Sequence, residues 1–128
     1  GLKDGTIMAV VSDHHPVEVE NKEIEFDQAA FGTIGLETLA LTFIDEANKQ
    51  GLLKIDSYLS HSAATFLGIQ LPELKIGETM KGFVIVPDAY VYSSKDIVSK
   101  SKNSLFIGST IQHRLVGVFN GLTYSYGQ

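Results

Sequence analysis

The residues with the greatest capacity for chemistry stand together as Asp13-His14-His15-Pro16, directly after the apolar run from Thr6 to Ser12. A carboxylate at such a place can ligate a metal or act as a base, and an imidazole can ligate, donate or orient. In α/β folds and barrels the loops at the carboxyl ends of buried parallel strands converge on one face, which is where chemistry collects. An equally simple account of these four residues is a turn Asp followed by two surface histidines, because short motifs recur by chance. The group also lacks partners. A catalytic metal needs about three protein ligands, whereas His61 and His113 stand in helix-like and strand-like contexts without ligand spacing. No nucleophile elbow, phosphate-binding glycine loop or paired-histidine motif is present, so the chain by itself does not carry a complete active site. The acidic residues Glu18, Glu20, Glu23, Glu25 and Asp27 offer a cation site on paper, but a solvated loop face is the simpler reading. His61, between Ser60 and Ser62, reads most simply as a helix-terminus or packed polar residue.

The elements that must position these residues follow from periodicity. Thr6 to Ser12 is continuously apolar before it turns polar, which suits a central strand covered on both faces. Asp13 to Gly35 breaks into acidic and small residues and reads as a long loop, a feature that is usually functional or mobile. Leu36 to Gln50 repeats Leu36, Leu39, Ala40, Phe43, Ile44 and Ala47 at helical spacing, with Glu37, Asp45, Glu46 and Lys49 mainly off that face. Gly51 stands where a left-handed cap is expected. A second, shorter helical stretch is expected from an Asp56 N-cap to Leu67, stopped by Gly68, with a break or tight packing at its small and polar middle. After Pro72 the period becomes strand-like. Phe83 to Val86 and Ala89 to Tyr92 flank a Pro87-Asp88 turn, and Arg114 to Phe119 and Leu122 to Tyr126 flank an Asn120-Gly121 hairpin. Between them, Ser93 to Thr110 is expected to be a loop with one short helical turn.

Composition narrows the class of protein. A length of 128 residues with 44% apolar content suits one domain with a core. A net charge of −5 argues against a nucleic-acid or anionic-membrane surface, which needs clustered Lys and Arg. The absence of Cys excludes disulfides and thiolate metal sites, and no apolar run approaches the length of a bilayer span. The chain opens at Gly1 almost directly on a buried-looking run, so further residues are expected to precede it.

Asp13-His14-His15-Pro16, Lys22, Phe26, Ala29, Phe31-Gly32 and Gly35-Leu36-Glu37-Thr38 together resemble dihydroorotases of the cyclic amidohydrolase superfamily. Those enzymes read Asp-His-Ala-Pro-His, a loop containing Glu and Lys, then Phe-Gly-x-x-Gly-Leu-Glu-Thr. Ser60-His61-Ser62-Ala63-Ala64 with Leu67-Gly68-Ile69 is similar to the family's Ser-x-Asn-Pro-Ala-x-x-Leu-Gly-Leu, and Ser101 to Gly108 is similar to its Ser-Lys-x-Asn-Ser-Pro-Phe-x-Gly with one residue fewer. The resemblance covers essentially the whole chain.

The resemblance implies an α/β architecture: the C-terminal fragment of a metal-dependent (β/α)8 barrel, its last strand and helices, plus part of a small β-sandwich domain. Residues 1–70 would be the barrel part and residues 71–128 the sandwich part. It implies a zinc enzyme of pyrimidine biosynthesis that hydrolyses dihydroorotate to carbamoyl-aspartate, most of its zinc ligands lying upstream. Asp13 would touch the metal and act as general base and then general acid. The backbone at Phe31 and Gly32 would contact the pyrimidine ring, where glycine permits close approach. The family's second motif histidine, a substrate-carboxylate ligand, is Val17 here, and His15 offers an imidazole nearby. An allantoinase or hydantoinase is therefore one alternative, and a catalytically inactive homologue with a structural role is another. The resemblance further implies a cytoplasmic homo-oligomer acting on a small cyclic amide, with neither nucleic acid nor membrane as partner. An association with aspartate transcarbamoylase is a further implied partnership. The isolated chain is expected to be inactive.

Overall fold

A computed structural model describes residues 1–126 as a mixed helix-and-strand fold with two small antiparallel sheets. Both helices precede all strands. Helix α1 runs over Leu39–Lys49 and helix α2 over Ser62–Phe66, followed by β1 Lys81–Val86, β2 Tyr90–Val91, β3 Thr110–Ile111, β4 Arg114–Asn120 and β5 Thr123–Tyr126. No helix among the described residues is long and apolar enough to cross a membrane.

The run from Thr6 to Ser12, expected to be a central strand, pairs with no other strand among the described residues. Ile7, Met8 and Val11 are exposed, whereas Ala9 and Val10 are half-buried. A ladder needs a neighbour, and the strands of the two sheets pair with one another and not with this run. The run is held instead by Tyr58, whose carbonyl accepts from the Val10 amide at 2.9 Å and whose hydroxyl donates to the Leu2 carbonyl at 3.1 Å.

Helix α1 begins three residues later than its apolar repeat, because Gly35 to Thr38 form the entering turn and the Leu39 amide donates back to the Gly35 carbonyl at 2.9 Å. It ends as its sequence suggests, with Gly51 at φ +65. Its buried side is corrected in part. Ala47 of the anticipated face is buried, and so is Leu41 off that face, whereas Leu39, Ala40, Phe43 and Ile44 are only half-buried and Leu36 is exposed. At 100° per residue, Glu37, Leu41 and Asp45 form one stripe, and this stripe meets the strand region. Leu41 packs with Ile34, Tyr92, Ile97 and Ile111 in the core cluster, with Ile85, Tyr90, Phe106 and Leu115 against it. The opposite side of the helix meets the second helical segment through an edge-to-face pair of Phe43 and Tyr58, centroids 6.1 Å apart.

Two polar members of that stripe bind loops. The Glu37 carboxylate accepts from the Val98 amide at 2.9 Å, the Ser99 amide at 2.6 Å, the Ser99 hydroxyl at 2.5 Å and the Tyr92 hydroxyl at 3.4 Å. Burial pushes this carboxyl upward, but the donors from Ser99 and Val98 outweigh it and leave it below the ordinary glutamate range. Burial and the Glu37 charge push the Tyr92 phenol in the opposite direction, upward. Asp45 is 12% exposed and pairs with His113 Nδ1 at 2.5 Å while accepting from the Gln112 amide at 3.2 Å. These acidic residues are joints between the helix and the strand region, not members of a solvated face.

The second helical segment carries its expected break as a change of winding, from a π turn over Ser57–His61 to α2. Gly68 follows at φ +68. Asp56 is not a cap: it is already helical, and its side chain bonds no backbone amide of the first turn.

In the larger sheet the order is β1-β4-β5, with Phe83 opposite Val118 and a register shift between Val84 and Ile85. The β4–β5 hairpin forms as expected, but Asn120 pairs with Thr123, so the loop is Gly121-Leu122. Gly121 has φ +68 and Leu122 is not in the left-handed region, the pattern of a turn with glycine first. β1 and β2 pass through Pro87-Asp88 into different sheets, since β2 pairs with β3. The segment between β2 and β3 contains turns and no helix.

Candidate functional site

Asp13 is exposed and lies in the left-handed region at φ 42. A residue with a Cβ pays on the order of 1–2 kcal/mol there, and Asp is among the side chains that tolerate it. The strained turn is followed by fixed neighbours. His14 Nδ1 accepts from the Gly35 amide at 3.3 Å and the Leu36 amide at 3.2 Å, at the turn that enters α1. Both partners are donors, so the ring proton resides on Nε2. The His15 amide donates to the Thr33 carbonyl at 2.9 Å. The Val17 amide donates to Ser101 Oγ and Asn103 Oδ1, each at 3.2 Å.

The loop that follows closes on itself. Its acidic residues Glu18, Glu20, Glu23, Glu25 and Asp27 are all exposed, as a solvated face would be. Lys22 reaches across the loop, its ammonium donating to the carbonyls of Ala30 at 2.6 Å and Gly32 at 2.7 Å. Gly32, at φ +105, passes against the His15 side chain. A Cβ there would sit 2.5 Å from the imidazole Cδ2, so only glycine fits. Phe31, beside it, is 93% exposed.

The structure thus brings Asp13, His15 and Gly32 into one loop cluster, with Phe31 projecting from its edge. His61, at the junction of the π turn and α2, is exposed, and His113 is committed to Asp45. No group of three or more His, Cys, Asp or Glu side chains among the described residues is arranged to hold a metal ion. A cavity of about 490 Å³ lies beside the cluster, between residues 16–20 and 100–102, and Asp13 is not part of its wall.

Two participants escape a reading of the sequence. The function of His14 as an acceptor for helix-entry amides has no local signal, since its donors lie 21 and 22 residues away. The segment around Asn103 touches the loop across 70 residues or more. Its polar composition marked it as a loop, and the resemblance of Ser101 to Gly108 gave it no contact to this site.

No protein-family model matches the chain. Among curated proteins, the dihydroorotase of Chlorobaculum tepidum is 35% identical over 124 residues, which cover 94% of this chain and 28% of that protein. The dihydroorotase of Elusimicrobium minutum is 38% identical over 124 residues, with 94% and 29% covered. That of Geobacter metallireducens is 39% identical over 111 residues, with 84% and 26% covered. The chain spans little more than a quarter of the length of these relatives, in agreement with the C-terminal portion its motifs imply.

Proposed function

Because the chain is a relative of dihydroorotases along 94% of its length, we propose that the full-length protein is a hydrolase that opens the cyclic amide of dihydroorotate to give carbamoyl-aspartate. In this reading residues 1–70 supply the last strand, the active-site loop and helices of a (β/α)8 barrel, and residues 71–128 supply part of a β-sandwich. Both α-helices lie before residue 71 and both sheets after it, and the run assigned as the last barrel strand, Thr6 to Ser12, has no partner strand among the described residues. The outward apolar side chains of Ile7, Met8 and Val11 suit a strand whose neighbours belong to the rest of the barrel.

The observation that carries the proposal is the exposed carboxylate of Asp13, held in a strained turn and followed by His14 and His15, whose side chain and backbone respectively are tied down. Backbone strain of this kind persists where surrounding structure over-determines it, and it clusters at working sites. Asp13 accepts a proton from the attacking water and later returns it to the ring nitrogen as that nitrogen leaves. Asp13 fits a metal site only as one oxygen ligand, and the remaining ligands come from outside this chain. Zinc, when bound, lowers the pKa of water to about 7, which brings its proton within reach of a carboxylate. Gly32 lets the ring approach the backbone, and the His15 imidazole beside it offers a donor to the substrate carboxylate.

Val17 favours a second reading. It stands where the resemblance calls for the imidazole that binds the substrate carboxylate, so a sibling cyclic amidase acting on allantoin or hydantoins fits the same site. Assaying the full-length protein on dihydroorotate, allantoin and hydantoin decides between them: activity on only the latter two overturns the first reading. Inactivity on all three favours a structural homologue. In an active parent, Asp13→Ala should lower turnover by orders of magnitude with the fold intact, and a near-normal rate would remove Asp13 from its role.

A further inference from the structure

The segment from Ser101 to Ser104 is not absorbed by that chemistry, yet it makes the longest-range contacts of the candidate site. The half-buried Asn103 side chain donates from Nδ2 to the carbonyls of His15 at 3.1 Å and Gly32 at 3.3 Å. Its Oδ1 accepts from the Val17 amide at 3.2 Å and from the Ser101 hydroxyl at 2.5 Å. Its own carbonyl accepts from Thr33 Oγ1 at 2.9 Å and the Ile34 amide at 3.2 Å. The side-chain amide is fully used, two N–H groups against two carbonyls and its oxygen against the Val17 N–H, with the single Ser101 hydroxyl proton between that oxygen and the Val17 carbonyl. The opposite orientation would set oxygen against oxygen and N–H against N–H, so the partners fix it.

These contacts have a particular geometry. One arm of the loop carries Asp13, His15 and Val17, and the other carries Phe31, Gly32 and Thr33. Asn103 lies between the arms and bonds both. We infer that Asn103 is a positioning residue, setting the spacing between the arm that bears the Asp13 carboxylate and the Gly32 backbone against which substrate binds. The inference rests on the hydrolase reading above. Without Asn103, the His15 carbonyl loses its partner, the Gly32 carbonyl keeps only Lys22 and the Val17 amide only Ser101, and the left-handed turn at Asp13 is no longer over-determined from the far side. Small misplacements of a reacting group, on the order of 1 Å, are enough to cost about 100-fold in rate.

The test uses the full-length protein with Asn103→Ala and Asn103→Asp. The aspartate keeps an acceptor for the Val17 amide but has no donor for the two carbonyls. In Asn103→Ala, amide hydrogen exchange should quicken by about 10-fold or more at His15 and Val17 and stay unchanged in β4 and β5. Turnover should fall by roughly 10- to 100-fold in both variants. The discriminating measurement is the double variant Asp13→Ala/Asn103→Ala, which should turn over no more slowly than Asp13→Ala alone. A residue acting through Asp13 has nothing left to position once that carboxylate is gone. A further multiplicative loss in the double variant, exchange that spreads into β4 and β5, or normal turnover in both single variants overturns the inference. Full turnover in Asp13→Ala overturns the catalytic reading beneath it, whereas an inactive Asp13→Ala beside fully active Asn103 variants sinks the positioning role alone.

Discussion

Glu37 offers a quantitative test of how α1 is docked. Glu37→Gln keeps the shape of the side chain but replaces one carboxylate oxygen with an NH2 group. Oε1 accepts from the Ser99 amide and hydroxyl, and Oε2 accepts from the Val98 amide at 2.9 Å and the Tyr92 hydroxyl at 3.4 Å. An amide oxygen kept on the Ser99 side leaves an NH2 facing the Val98 N–H, donor against donor. Hydrogen bonds to charged groups contribute about 1.5–3 kcal/mol each. Glu37 is only partly buried, so solvent screening brings the loss of one such bond to about 1–2 kcal/mol. At about 1.4 kcal/mol per factor of ten, this is a roughly 5- to 30-fold rise in the local opening equilibrium. Amide hydrogen exchange at Val98 and Ser99 reads it directly, with the β4–β5 ladder as the internal reference. The pH dependence has a definite sign. The folded carboxyl lies below its ordinary value, so its contribution is fully present above the unfolded glutamate pKa of about 4.3 and fades as pH falls through the folded value. Wild type should therefore converge on the variant in acid. Equal exchange at Val98 in the two proteins near neutral pH, or a difference that grows as pH is lowered, would refute the reasoning.

Other expectations are sharper in direction than in size. Gly32→Ala places a Cβ 2.5 Å from the His15 ring in a backbone region unfavourable to alanine; it should destabilise the loop by about 1–3 kcal/mol and depress turnover of the parent, and an unaltered Km and rate would contradict this. Asp45→Ala removes the partner of a largely buried His113 and should cost about 2–4 kcal/mol in chemical denaturation, more than Asp56→Ala, whose pairing with His61 is exposed. The isolated 128-residue chain should bind zinc neither tightly nor stoichiometrically, as a titration followed by calorimetry would reveal; a tight 1:1 complex would overturn the view that its ligands lie elsewhere.

The local punctuation of the fold was legible in the sequence. Gly51, Gly68 and Gly121 adopt positive φ where the flanking patterns end, because only glycine enters that region at little cost. The helical period of residues 36–50, the winding change within Ser60 to Ala64 and the β4–β5 hairpin likewise follow from interactions over a few residues. Asp13, His15 and Gly32 were singled out through the resemblance of their motifs and not through their chemistry, and of these the structure sets the His15 side chain against Gly32. Partnership across the chain was not legible. The run from Thr6 to Ser12 has a strand's composition, but a strand is a relation to a neighbour, and none within the described residues pairs with it. Glu37 and Asp45 look like solvent-facing charges because a helical wheel reports only which residues share a side, never what lies opposite. Tertiary packing laid Ser99 and His113 against that side and made the two carboxylates joints. His14 and Asn103 find their partners 21 to 88 residues away, through hydrogen bonds whose geometry exists only once the chain has closed on itself.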